Sequence, residues 1–167
     1  MSDLPLVWFG VGGALLTVVS LGLIWRPART RWRSREARQA AGAFRLQREQ
    51  LEAKFFDLAI LHGKPRGLRW IDCDWHSDVT YARDVNSGLL TAFVAVSIRF
   101  EAIDGGDMED VDAVHDVRDA TAVFHYRRGR WGTGGKTLFN MNPHDAVTRL
   151  HGQFEPVAPD VVHFSRV

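Results

Sequence analysis

Leu4 to Trp25 is a run of 22 residues without a charge, closed by Asp3 on one side and by arginines on the other. A helix rises about 1.5 Å per residue, so about 20 apolar residues cross the roughly 30 Å of a bilayer's hydrocarbon. The run is long enough to span. Trp8 and Trp25 stand near its two ends, where indole rings favour the headgroup layer. Arg26, Arg29, Arg31, Arg33, Arg35 and Arg38 follow it directly, opposed there only by Glu36. No Lys or Arg precedes it, so the positive-inside rule places the N-terminus outside and the rest of the chain in the cytoplasm. The expected localisation is the cell (inner) membrane, single-pass. A cleaved signal peptide would want a basic start and a small-residue cleavage site; here the start is acidic and the run ends Trp25-Arg26-Pro27.

The expected organisation is an external N-terminus at 1–3, a transmembrane helix at 4–25, an arginine-rich juxtamembrane segment and long helix at 26–62, an antiparallel α+β domain at 63–153 and a C-terminal tail at 154–167. Gly10 and Ala14 form a small-xxx-small pair that lets helices approach closely. Arg26, Arg29, Arg31 and Arg33 would meet anionic lipid, each basic residue near such a leaflet contributing about 1 kcal/mol. Twenty-one basic residues against 20 acidic ones give no case for nucleic acid. The single cysteine, Cys73, cannot make an internal disulfide and fits a reducing compartment.

From Arg31 to Leu61 the chain reads as one helix, with Ala37, Phe44, Leu51 and Leu58 recurring every seven residues. The companion positions include Gln47 and Arg48, so this is half a coiled-coil seam. It predicts association through 30–62, with a second copy or a membrane-protein partner. Phe55, Leu58 and Leu61 are rich enough to pack on a core, and Gly63 and Pro65 end the helix. Strands follow at Leu68–Trp75, Val79–Val85, Leu89–Ile103, Ala120–Tyr126 and Arg130–Phe139. In the strongest of them Leu90, Val94, Val96, Ile98 and Phe100 alternate with polar residues such as Thr91, Ser97, Arg99 and Glu101. Asn86-Ser87-Gly88 and Arg128-Gly129 are turns. Asn142, Pro143 and Asp145 open a short helix as N-cap, N1 and N3.

The fold class is therefore α+β: an N-terminal transmembrane helix, a long juxtamembrane helix and a curved antiparallel sheet of four to five strands. This order resembles, in architecture only, the cystatin-like and nuclear-transport-factor-like cone, in which such a sheet wraps a helix. The resemblance implies that the helix around Phe55 to Leu61 covers the sheet's apolar face.

Gly132-Thr133-Gly134-Gly135-Lys136-Thr137 invites comparison with a phosphate loop. That motif needs glycine five places before its Gly-Lys-Thr, where Arg130 stands, and it opens a helix rather than continuing a strand. Asp72, Asp74, His76 and Asp78 alternate and would share one strand face, as metal ligands or as a solvated face. Asp104, Asp107, Glu109, Asp110, Asp112 and Asp116 crowd one loop without the order of a calcium-binding hand. Cys73 reads as a small buried hydrophobe, and Asp57 as a surface acid or a general base inside a cone. None of these constellations outweighs its structural explanation, so no catalytic, cofactor or metal residue is assigned and an enzyme is not expected. The reading is a membrane-anchored partner-binding or scaffold module. The alternative is a small enzyme or ligand-binding domain with a pocket between sheet and helix.

Overall fold

The structure, a computed structural model, describes residues 31–62, 67–109, 111 and 116–158. Among these no helix is long and apolar enough to cross a membrane; the 4–25 run and the arginines at 26 and 29 lie outside them. The chain divides into two compact units, Met1–Arg38 and Gln39–Val167. Of the first, residues 31–38 are described, and all are helical. The second contains every strand among the described residues.

This second unit is α+β, built on a curled, five-stranded antiparallel half-barrel. Helix α1 covers 31–46 and helix α2 Arg48–His62; they join at Gln47, whose amide donates to the Ala43 carbonyl at 3.1 Å and whose carbonyl accepts from the Leu51 amide at 3.0 Å, so helical hydrogen bonding continues across the junction. The strands are β1 Leu68–Asp84, β2 Leu90–Ala102, β3 Arg118–Arg127, β4 Arg130–Phe139 and β5 Phe154–Pro156, in the order β4-β3-β2-β1-β5. Helix α3, Pro143–Arg149, links β4 to β5. The two expected strands at Leu68–Trp75 and Val79–Val85 are one strand with register shifts between Trp70 and Asp72 and between Trp75 and Val79.

Strand residues alternate between two faces. On one, Phe124 of β3, Trp131 of β4 and Tyr81 of β1 surround the Phe44 ring at centroid distances of 5.3, 5.0 and 6.2 Å. Phe55 sits 5.3 Å from Trp75 and 5.7 Å from Phe124. Burial of such rings is the main favourable term in a fold of this size. The Trp131 indole would be left with an unpaired N–H here, and it donates to the Ala40 carbonyl at 2.7 Å. Farther along the same face Trp70, Phe100 and Phe139 form a second aromatic group.

Among the described residues the opposite face is covered at one end only. Ala82, Phe93 and Val123 pack against Ala146 and Val147 of α3 and Phe154 of β5. As a result β2 is buried on both faces from Leu90 to Val94 and on one face from there on. This corrects the expected polar role of Thr91, which is fully buried and bonded to His125 Nδ1 at 3.2 Å.

The start of α3 forms as its sequence dictates. Asn142 takes extended backbone angles, its side-chain oxygen accepts from the Asp145 amide at 2.8 Å, and Pro143 occupies the first turn.

The half-seam is corrected as well. Phe44 and Leu51 are buried inside this unit, not held out for a partner. The large apolar residues that α1 and α2 do expose between 39 and 62 are Leu46, at 90 %, Leu61, at 67 %, and Ile60, at 36 %.

A polar cavity on the open half of the sheet

Where α3 stops covering the sheet, a cavity of about 640 Å³ opens. Its walls come from three places: the β1 irregularity (His76, Asp78), the strand residues Ser97 and Asp119, and the loop into α3 (Asn140, Asn142, Asp145). Three residues of β1, His76 to Asp78, stand against one of β2 between the Trp75–Val96 and Val79–Val94 pairs. Such a bulge bends the strand and re-aims side chains. It lets His76 reach Ser97, whose partner across the ladder is Asp74.

The polar groups are joined in a chain. Ser97 Oγ donates to Asp119 Oδ1 at 2.9 Å, and His76 Nε2 lies 2.7 Å from the same hydroxyl. A serine hydroxyl has one proton, so the imidazole donates and the order runs His76 to Ser97 to Asp119. In a nucleophilic triad the hydroxyl gives its proton to the imidazole and the acid holds the other ring nitrogen. Ser97 is therefore wired as a relay. The His76 carbonyl accepts from the Arg48 guanidinium of α2, which pins the bulge. Asn142 Nδ2 donates to Asp145 Oδ2 at 2.8 Å, closing the rim.

The four alternating candidates of β1 do not converge. Asp72 pairs with Arg99 at 2.5 Å, and that hydrogen bond holds its carboxyl below the usual carboxylate range. His76 and Asp78 line the cavity. Among the described residues no three His, Cys, Asp or Glu side chains come together for a metal ion. Of the acidic loop, Asp104, Asp107, Glu109 and Asp116 are described, and Glu109 closes a turn by accepting from the Gly105 amide at 2.8 Å. Asp110 and Asp112 lie outside the described residues.

The glycine-rich segment lies within β4. Gly135, at φ +72, faces the backbone of α2: a Cβ there would stand 2.7 Å from Ala59 N and 2.8 Å from Leu58 C. The glycine exists for helix-on-strand packing. Cys73, opposite Ile98, is half-buried, and desolvation with the nearby Asp72 pushes its thiol up to about 12. Asp57 is exposed on α2, outside the cavity. The space under the helices, where the sequence left room for a pocket, is filled by aromatic rings. No sequence signal located the cavity, because its walls are assembled from a bulge and a loop more than 60 residues apart.

Compared with models of known families, with curated proteins and with solved structures, the chain matches none.

Proposed function

We propose that this chain is a single-pass membrane-anchored protein whose cytoplasmic α+β domain binds a partner, with the open half of the sheet as the docking face. The anchor rests on the uncharged Leu4–Trp25 run, and the orientation on the arginines after it. The cone-like architecture belongs to the same reading, with α1 and α2 as the helix that the sheet wraps. Association with a second copy or a membrane protein through 30–62 is retained, with Leu46 and Leu61 in place of Phe44 as the contact residues.

The observation that favours a binding module is the contrast between the two faces. One is closed by Phe44, Phe55, Trp75, Phe124 and Trp131, while among the described residues the other is covered only where α3 and β5 reach. The polar groups in the gap are largely spent on one another, as in a rim that positions a partner. The cavity itself favours the second reading, a ligand-binding domain, since small-molecule sites occupy about 300–1,000 Å³.

A photo-cross-linking residue at Asp78 in the intact membrane tests both. A protein adduct that Asp119→Lys abolishes is the expected result. No adduct, together with a small metabolite that raises the melting temperature of the native chain but not of Asp78→Ala, would replace the first reading by the second. A C-terminal reporter active only outside the cytoplasm should be silent.

A further inference from the structure

We infer that the tip of the β3–β4 hairpin, with Arg45 of α1, docks the domain onto the phosphate headgroups of an anionic bilayer. This rests on the anchored reading above and adds a second membrane contact made by the folded domain itself.

The hairpin tip is Arg127-Arg128-Gly129-Arg130, with Arg127 opposite Arg130. All three arginines are exposed. None has an ion pair among the described residues, whereas Arg48, Arg69 and Arg99 each have one. The turn takes positive φ at both central positions, 52 at Arg128 and 79 at Gly129. Asn-Gly is the favoured solution there, and a long side chain at the first position is a poor one. No hydrogen bond or ion pair of the Arg128 side chain within the described residues offsets it.

The tip is fixed against α1. Trp131, next to Arg130, donates to the Ala40 carbonyl at 2.7 Å and meets Phe44 edge-to-face at 5.0 Å. Exposed Arg45 follows Phe44, and its charge reaches the Tyr81 phenol, whose ring lies 6.1 Å from Trp131. Four arginines thus gather at the end of the domain where the chain enters it. Gln39 comes fourteen residues after Trp25, the end of the proposed span. At about 1.5 Å per residue as helix, or about 3.5 Å extended, that length keeps the patch within reach of the headgroups.

The acids of this end are off the tip: Asp84 and Glu155 are on β1 and β5, on the other side of the sheet, and Glu49 stands a helical turn after Arg45. Asp84, at this end but on β1, accepts from the Asn86 and Ser87 amides at 2.9 and 2.7 Å. Asp104, Asp107, Glu109 and Asp116 stand at the far end, between the C-terminal end of β2 and the start of β3, and Glu101, near the end of β2, is paired with Arg69. Thirteen residues of β2 extend about 40 Å, several Debye lengths at physiological salt, so the acidic end does not cancel the basic one. A bilayer with anionic lipid meets this polarity with one favoured orientation.

The test uses the full chain carrying Cys73→Ser and Ser87→Cys. Ser87 lies in the β1–β2 turn at the basic end, about two strand spacings (roughly 10 Å) from the tip. A fluorophore on it is read in vesicles of neutral phosphatidylcholine, and in vesicles about one third phosphatidylglycerol, both containing headgroup-spin-labelled lipid. Quenching in the anionic vesicles alone is expected. The triple variant Arg127→Glu, Arg128→Glu, Arg130→Glu, with unchanged melting temperature, should lose it. Loss of the three cationic contacts alone shifts the docking equilibrium by roughly fivefold each, about a hundredfold together, and the charge reversal adds to it. Equal quenching in neutral vesicles, or a triple variant quenched as before, overturns the inference. So does an unquenched label on a chain whose hairpin takes up RNA from solution. An alkaline wash separates the two readings: a chain stripped from neutral vesicles refutes the anchor, and a retained chain with an unquenched label refutes docking alone.

Discussion

Gly135→Ala should be among the most damaging single-methyl changes in this protein, and Gly134→Ala among the mildest. Both lie in β4, one residue apart. At Gly135 the backbone is at φ +72, where any residue with a Cβ loses about 1–2 kcal/mol. The new methyl would also stand 2.7 Å from Ala59 N and 3.1 Å from Ala59 Cα, backbone atoms of a helix that cannot swing aside. Overpacking of this kind costs about 1–3 kcal/mol. The two together give about 2–5 kcal/mol, a large share of the 5–15 kcal/mol that holds a typical domain. At about 3–4 °C per kcal/mol for a unit of this size, the melting temperature should fall by roughly 6–20 °C. Gly134 has no heavy atom within 4 Å of its would-be Cβ and no positive φ, so alanine there should change stability by less than about 1 kcal/mol. Thermal and urea unfolding of the full chain in detergent, followed by far-ultraviolet circular dichroism, reads both. Two variants melting within a degree of each other would refute the argument that α2 rests on β4 through this glycine.

Phe44→Asp should unfold the domain: it removes a ring that contacts three others and buries a charge, which costs more than the about 3–5 kcal/mol of Phe→Ala; a folded variant by near-ultraviolet circular dichroism would contradict that. Cys73 should resist iodoacetamide at pH 8 on the order of a thousandfold better than a free thiol, since its native thiolate fraction is that of a group at about 12; equal rates for native and urea-unfolded chain would show the burial to be wrong. His125 is held below its ordinary 6.5 by burial and by Lys136, against an opposing pull from Asp84. The unfolded chain therefore binds the proton first, so this contribution is present above pH 6.5 and is lost as pH falls towards the native value. His125→Gln should flatten that part of the stability–pH curve, and an imidazole resonance titrating above 6.5 would reverse the sign.

What was legible in the sequence is what is decided locally. The Asn142-Pro143 cap, the Arg128-Gly129 turn and the alternation along the second half of β2, from Val94 to Glu101, each need only a few neighbouring residues, and each forms as read. The misreadings concern partners that arrive from far along the chain. Phe44 looked unpartnered because Tyr81, Phe124 and Trp131 are 37 to 87 residues away. Thr91 looked solvated because α3 and β5, which bury its face of the sheet, come more than 50 residues later. The glycine-rich segment is strand and not a phosphate loop, as its sequence implies, but the reason for Gly135, the backbone of α2, is invisible in a local window. The cavity has the same cause: the bulge at His76 to Asp78 makes two readable strand segments into one strand, and nothing in their composition says that its side chains are turned towards Ser97.

The two proposals constrain each other through the direction of β2. The arginine tip sits beside the start of that strand, since Leu90 pairs with Tyr126. The cavity sits past its middle, at Ser97, whose partner is Asp119. If the tip rests on the headgroups, the cavity stands away from the bilayer by about seven residues of strand, roughly 20 Å. That is more than two Debye lengths, so the membrane's own charge is screened there. An approaching partner would meet Asp78, Asp119 and Asp145 without competition from the lipid. A domain held the other way up would press the acidic loop against an anionic surface and close the cavity against the membrane. The polarity of the unit thus selects the orientation in which its open face remains available.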